Sequence, residues 1–253
     1  MLDQLVNATL LYPIVIVSFI ASAEFGSWIG RRLHRKTIKP EDLETLTVSV
    51  LGLLALVLAF TLSHALSRYD DRRSLVVEEA NAIDSTAHLA FMLPTQAQGP
   101  ILSLLRDYVA VRIGLGVPYD PAKLQRDVAK SRDVLARLWQ QAVAVSEPQS
   151  LPANRFINSL DEMTKIQERR LNAYLYHIPN TFVLMLLAVA MSAIGFTGYH
   201  TGLTDTRPRL GMLIMAVMVA VVIVGVIDLD QPARGLVLVP IQALVDVAKE
   251  IQP

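Results

Sequence analysis

The chain has 253 residues, and its 23 Lys+Arg balance its 23 Asp+Glu, so no surplus of positive charge points to a nucleic-acid partner. It contains no cysteine, which excludes disulfides, thiolate metal sites and cysteine nucleophiles. Residues 4–23, 45–67, 171–204 and 210–227 carry no Asp, Glu, Lys or Arg. Four such stretches exclude a soluble enzyme, a disordered chain and a fibrous protein, because about 20 apolar residues suffice to cross about 30 Å of hydrocarbon.

The first span is expected over residues 9–29. It ends on Arg31, Arg32, Arg35, Lys36 and Lys39, with His34 among them, whereas residues 1–8 hold no Lys or Arg. The positive-inside rule then places the N-terminus outside and the loop 31–45 in the cytoplasm. Ala21-Ser22-Ala23 also has the form of a signal-peptide cleavage site, but the chain lacks a basic segment before the apolar run, and the arginines follow it as an anchor. Alternation sends the second span (46–66) outward, the third (180–199) inward and the fourth (210–227) outward. On this reading the C-terminus and the segment between spans two and three lie outside the cytoplasm.

Small residues recur along the first span at Ser18, Ser22, Gly26 and Gly30. Such a ladder lets a second helix approach closely, either within the chain or between protomers. Shorter ladders are Gly52, Ala55 and Ala59 in the second span and Ala188, Ser192 and Gly195 in the third. Glu24 is the one acid inside a span, about 10 Å along the helix axis from Arg31. An antiparallel third span is expected to bring Thr197, Tyr199 and His200 to its depth. Two readings stand for it: Glu24 lines a polar path or shares a proton with His200, or it is a protonated, hydrogen-bonded carboxyl that locks two helices or one that snorkels inward.

The apolar positions 69, 76, 80, 83, 87 and 90 form a near-heptad seam with no breaker before it. One helix is therefore expected from about 46 to 93. Pro94 and Gly99-Pro100 end it, and further helices follow over 101–115, 121–145 and 152–177, joined by turns at 116–121 and 147–152. The fold class is thus all-α: four transmembrane helices with an extramembrane antiparallel four-helix bundle between the second and third. The expected divisions are 1–66, 67–178, 179–229 and an amphipathic tail at 230–253, which lies on the membrane or on the bundle. Asp228 to Gly235 reads as a turn.

Where the second helix leaves the bilayer, Arg72 and Glu79 fall along one edge of its seam and Arg73 along the other, while Glu78 and Asn81 point away. Around an oligomer axis either edge makes a ring of charge at a pore mouth; the plainer reading is interfacial anchoring with salt bridges inside the bundle. The five histidines, His34, His64, His88, His177 and His200, have no metal-ligand spacing, and no catalytic or nucleotide-binding motif occurs. No cofactor or metal is expected, and the chain does not read as an enzyme.

The run Leu54 to Phe60, the block Ala65 to Arg73 with Leu75 to Ile83, and the segment Asp228 to Gly235 together resemble the bacterial bestrophin-like domain family of multi-pass membrane proteins. The resemblance implies kinship with bestrophin anion channels, pentamers around a pore, and a bacterial inner membrane. It also implies a large domain on the cytosolic side, opposite to the side that the basic loop implies. Two functions follow as expectations. One is an oligomeric channel or transport-type protein with small ions as cargo, its second helix lining the path and Arg72, Arg73, Glu79 and Glu24 along it. The other is a membrane-anchored sensor or scaffold working through protein partners. The partners expected are the lipid bilayer and further copies of the chain.

Overall fold

The computed structural model describes residues 8–32, 40–115, 120–146, 150–203, 209–231 and 237–251. These form eight helices: α1 (Ala8–Arg32), α2 (Pro40–Ala90), α3 (Thr95–Gly114), α4 (Pro121–Ala144), α5 (Leu151–Leu175), α6 (Asn180–Leu203), α7 (Arg209–Asp230) and α8 (Gln242–Glu250). No strand occurs among the described residues. Four helical stretches are long and apolar enough to cross a membrane; they contain α1, α2, α6 and α7. Most of the basic loop (33–39), the turns at 116–119 and 147–149, Arg207, and 232–235 of the segment after α7 lie outside the described residues.

α2 has 51 residues and so runs for about 76 Å, more than twice the thickness of hydrocarbon. Only its charge-free part, 45–67, suits lipid. The helix is unbroken because no Pro or Gly follows Gly52 until Pro94. Two boundaries depart from expectation. Gly99 and Pro100 lie inside α3 rather than before it, since Pro94 starts that helix and Pro100 forfeits one backbone bond in the second turn. Asp228 to Asp230 close α7 instead of opening a turn, since nothing before Pro232 stops the helix.

The chain divides into two compact units, Met1–Ser67 with His177–Gln231, and Arg68–Tyr176 with Pro232–Pro253. In the first, Val15, Phe19 and Ala23 of α1, Leu54 and Leu58 of α2, Ala190 and Ile194 of α6, and Ala216 and Ile223 of α7 share one core. Its outer surface is as apolar as its interior: Val17, Phe25, Leu53, Phe60, Met218 and Val221 are all more than half exposed. A surface of that kind belongs in lipid or against another subunit.

In the second unit, α3, α4, α5, α8 and the part of α2 after Arg68 enclose a separate core, with Ile83, Ile101, Leu105, Leu138, Phe156, Leu160 and Met163 almost wholly buried. Asp120 caps α4 by accepting from Ala122 N at 2.9 Å, and Ser150 caps α5 through Ala153 N. α8 belongs to this unit. Leu244, Val247 and Ile251 join its core, and Arg106 Nε on α3 donates to the Ile251 carbonyl at 2.7 Å. Of the two places open to the tail, this helix occupies the one on the helical unit.

Candidate functional site

In the first unit the small-residue ladder of α1 meets α6. A methyl group added at Gly26 would fall on the Gly195 carbonyl, and one at Gly30 on the Tyr199 carbonyl. From the other side, Gly198 faces the Ala23 carbonyl and Gly202 the Ser27 carbonyl, while Ser22 Oγ donates to Met191 O at 2.7 Å. The two backbones therefore touch over about two turns of α1 and three of α6, at positions where a side chain larger than glycine's does not fit. The contact made by Ser22, Gly26 and Gly30 is within the chain. Ser18 does not join it; it is part-exposed and bonds its own Ile14 carbonyl.

The partner stripe on α6 is Gly195, Gly198 and Gly202. Ala188 and Ser192 are not part of it, because Ser192 is exposed and bonds Ala188 O. The pairings 22 with 191, 23 with 198 and 27 with 202 rise together, so α1 and α6 are parallel, which corrects the antiparallel expectation. The physical reason is the intervening outward run of α2, which restores the direction. Glu24 consequently sits off the α1–α6 seam. It is exposed and borders a cavity on the α7 side with Ile20, Leu210 and Leu213, and no hydrogen bond joins it to His200 among the described residues.

Gly52, Ala55 and Ala59 of α2 are all exposed, and a methyl built on Gly52 meets nothing within 4 Å. The opposite face of the same helix carries the buried Leu54 and Leu58. Within the described residues this stripe is uncovered.

The second unit holds a knot of buried charge. Glu79 of α2 has no exposed surface; its Oε1 lies 2.6 Å from Arg112 Nε, and its Oε2 accepts from Arg112 Nη2 at 3.2 Å and from Arg170 Nη1. Tyr108 Oη donates to Glu79 Oε1 at 2.9 Å and lies 3.1 Å from Gln167 Oε1, and Gln167 Nε2 reaches Ser131 Oγ at 3.4 Å. Polar groups thus meet at the centre of the unit from four helices, one each from α2 and α4 and two each from α3 and α5. Burial pushes the Glu79 carboxyl upward, but Arg112 and Arg170 outweigh it and hold it below the usual carboxylate range. Burial, then the Glu79 charge, raises the Tyr108 phenol well above its ordinary value, so it stays a donor. For Arg112, burial alone would lower the value, and Glu79 reverses the sign. One carboxylate against two guanidiniums leaves a formal charge of +1 in the interior.

Arg72 is also engaged internally. Its Nε donates to Ala173 O at 2.9 Å and its Nη2 to Tyr176 O at 3.1 Å, and Arg68 reaches the same Tyr176 carbonyl. Two arginines thus satisfy the free carbonyls and the negative end of α5. Arg73, one residue on, is exposed, and His200 of α6 is part-buried. Of Arg72, Arg73 and Glu79, Arg73 alone is exposed; Glu79 and Arg72 are engaged inside the second unit.

The sequence reading missed Tyr108, Arg112, Gln167 and Arg170. A signal was present: 101, 105, 108 and 112 on α3, and 156, 160, 163, 167 and 170 on α5, keep a three-four spacing in which the last members are polar. A polar residue that keeps the core spacing on several helices marks a buried network.

These features define a class: an all-helical membrane protein whose spans meet through glycine and whose second unit is pinned by an internal ion-pair hub. The chain belongs to the Bestrophin-like domain family, whose family model matches residues 17–244. Among solved structures it is similar to a crystallised membrane protein, with a TM-score of 0.71 at 14% identity over 93% of this chain and 97% of that one. It is also similar to a bacterial bestrophin homologue from Klebsiella pneumoniae, with a TM-score of 0.67 at 14% identity over 97% and 98% of the two chains. Both this structure and a second one of that homologue are point variants, and the second gives 0.70 at 15% identity over 93% and 95%. At such identities the likeness is one of fold. No curated protein matches it in sequence.

Proposed function

We propose that this protein is an oligomeric ion channel of the bestrophin type, in which the charge-free part of α2 lines the path. The observation that carries the reading is the uncovered stripe Gly52, Ala55 and Ala59 on a helix whose other face is buried against its own chain. A row of small side chains suits either a close seam between copies or a narrow pore wall. The whole-length likeness to a bestrophin homologue supports the same reading. Asp70, Asp71 and Arg73 are exposed charges that follow this stripe on α2, and Arg73 is assigned to the mouth of the path; Arg72 and Glu79 act by holding the second unit together, as an extramembrane bundle.

The test is ion flux through the purified protein in liposomes. Flux that falls when Ala59 becomes Phe, and whose ion preference changes in Arg73→Glu, supports the reading; no flux of any common anion or cation removes it and leaves the sensor or scaffold. Orientation follows from loop charge: loop 31–45 in the cytoplasm, with the termini and the bundle outside. The inverse orientation is the one implied by the family. Because the chain has no cysteine, single cysteines placed at Lys36 and at Arg137 and labelled in intact cells with an impermeant reagent decide between them. Labelling at Arg137 alone supports the loop-charge assignment, and labelling at Lys36 alone overturns it.

A further inference from the structure

The glycine seam, the ion-pair hub and the α2 stripe leave one polar feature of the spans without a role. Glu24 is the one acidic residue of α1, and it stands at the edge of a cavity of about 360 Å³ between α1 and α7. Ile20 and Ala23 line it from α1, and Leu210, Leu213 and Ala216 from α7, so the carboxylate is the one charged group in an apolar lining. Ala23 and Ala216 floor the groove, each 1% exposed, while Leu210 and Leu213 stand open at 70% and 42%. An ionised carboxylate only accepts hydrogen bonds, and among the described residues none supplies Glu24 with a donor or a cation.

Depth narrows the choice of occupant. Glu24 is seven residues before Arg31, about 10 Å along α1, and the groove also includes Leu210, at the very start of α7. The groove therefore lies near the ends of two spans, where hydrocarbon gives way to headgroups. What reaches that level from the bilayer carries an apolar body and a polar head, and the charge that complements Glu24 is positive. An anionic head is repelled, and a trimethylated ammonium offers the carboxylate no N–H donor, whereas a primary ammonium offers three.

We propose that the α1–α7 groove binds a phospholipid with a primary ammonium headgroup, its ammonium on Glu24 and its acyl chain along Leu210, Leu213 and Ala216. The inference does not depend on conduction, because it concerns α1 and α7 and not the stripe on α2. It is tested by native mass spectrometry of the purified protein exchanged into phosphatidylethanolamine, phosphatidylcholine or phosphatidylglycerol at matched acyl chains. The wild type is expected to retain phosphatidylethanolamine over the other two. Glu24→Gln, nearly isosteric, is expected to weaken that retention about tenfold while eluting and melting like the wild type. Free ethanolamine is expected not to compete. Equal retention of the three lipids, unchanged retention in Glu24→Gln, or efficient crosslinking of Leu213→Cys between protomers, which would put a second copy in the groove, each overturns the proposal.

Discussion

Glu79→Gln is the sharpest perturbation that the fold allows. The substitution keeps the shape of the side chain but removes the one negative charge facing Arg112, which has no exposed surface, and Arg170. Removing one member of a buried pair costs about 3–5 kcal/mol, because the remaining charge stays in the interior without compensation. For a unit of roughly 130 residues, 1 kcal/mol corresponds to about 3–5 °C in melting temperature, so a fall of about 9–25 °C is expected. The assay is built into the sequence. The chain has two tryptophans, Trp28 in the first unit and Trp139 in the second, and Trp139 Nε1 donates to Thr164 Oγ1 at 3.3 Å. In a Trp28→Phe background, fluorescence melting in detergent reports the second unit alone. Glu78→Gln is the control: Glu78 pairs with Arg169 at 3.4 Å with both side chains about half exposed, and its loss is expected to cost less than about 1 kcal/mol. Replacing Glu79, Arg112 and Arg170 together by Met is expected to recover most of the loss, since no charge is then stranded. A melting temperature for Glu79→Gln within about 2 °C of the control would refute the argument that the hub pins the unit.

The same carboxylate sets an acid limit. Its folded value lies below the unfolded one, so its stabilisation is complete above the unfolded value of about 4.3 and is lost as pH falls through the folded value; Trp139 melts should drop below about pH 4 in the wild type and less steeply in Glu79→Gln. In the spans, Gly198→Val drives a side chain onto the Ala23 carbonyl and is expected to abolish the monodisperse detergent-solubilised protein, whereas Gly52→Ala, with open space around it, is expected to leave elution and melting unchanged. Asp120→Ala removes the cap of α4 and should cost about 1 kcal/mol in the Trp139 melt, with no effect on the first unit.

Much of the architecture was legible because lipid leaves a coarse imprint. Charge-free runs of span length can be counted, and the breaks at Pro94, Pro121 and Pro152 mark where helices start. Gly26 and Gly30 announced a close contact, but nothing in α1 alone says which helix fills it. The answer needed Gly198 and Gly202, which look like ordinary spacing in an apolar helix until α1 is laid beside them. Glu24 shows the limit of depth arguments. Residues at one level share a site only if they share a face, and Glu24 turns to α7 while α6 packs on Gly26. Glu79 was visible as a charge beside the seam, yet its meaning rests on Arg112 and Arg170, 33 and 91 residues away in sequence. A charge at a seam position is ambiguous locally, because a pore-mouth ring and a buried pair ask for the same residue; the sign of its distant partners decides.

We assign the exposed small-residue stripe of α2 to the wall of an ion path. This is tested most directly by measuring flux from liposomes that hold the purified wild type and Ala59→Phe at equal protein density. Wild-type flux well above that of empty vesicles is expected, with a fall of at least about tenfold in a variant that elutes and melts normally. Equal flux in the two proteins would contradict it.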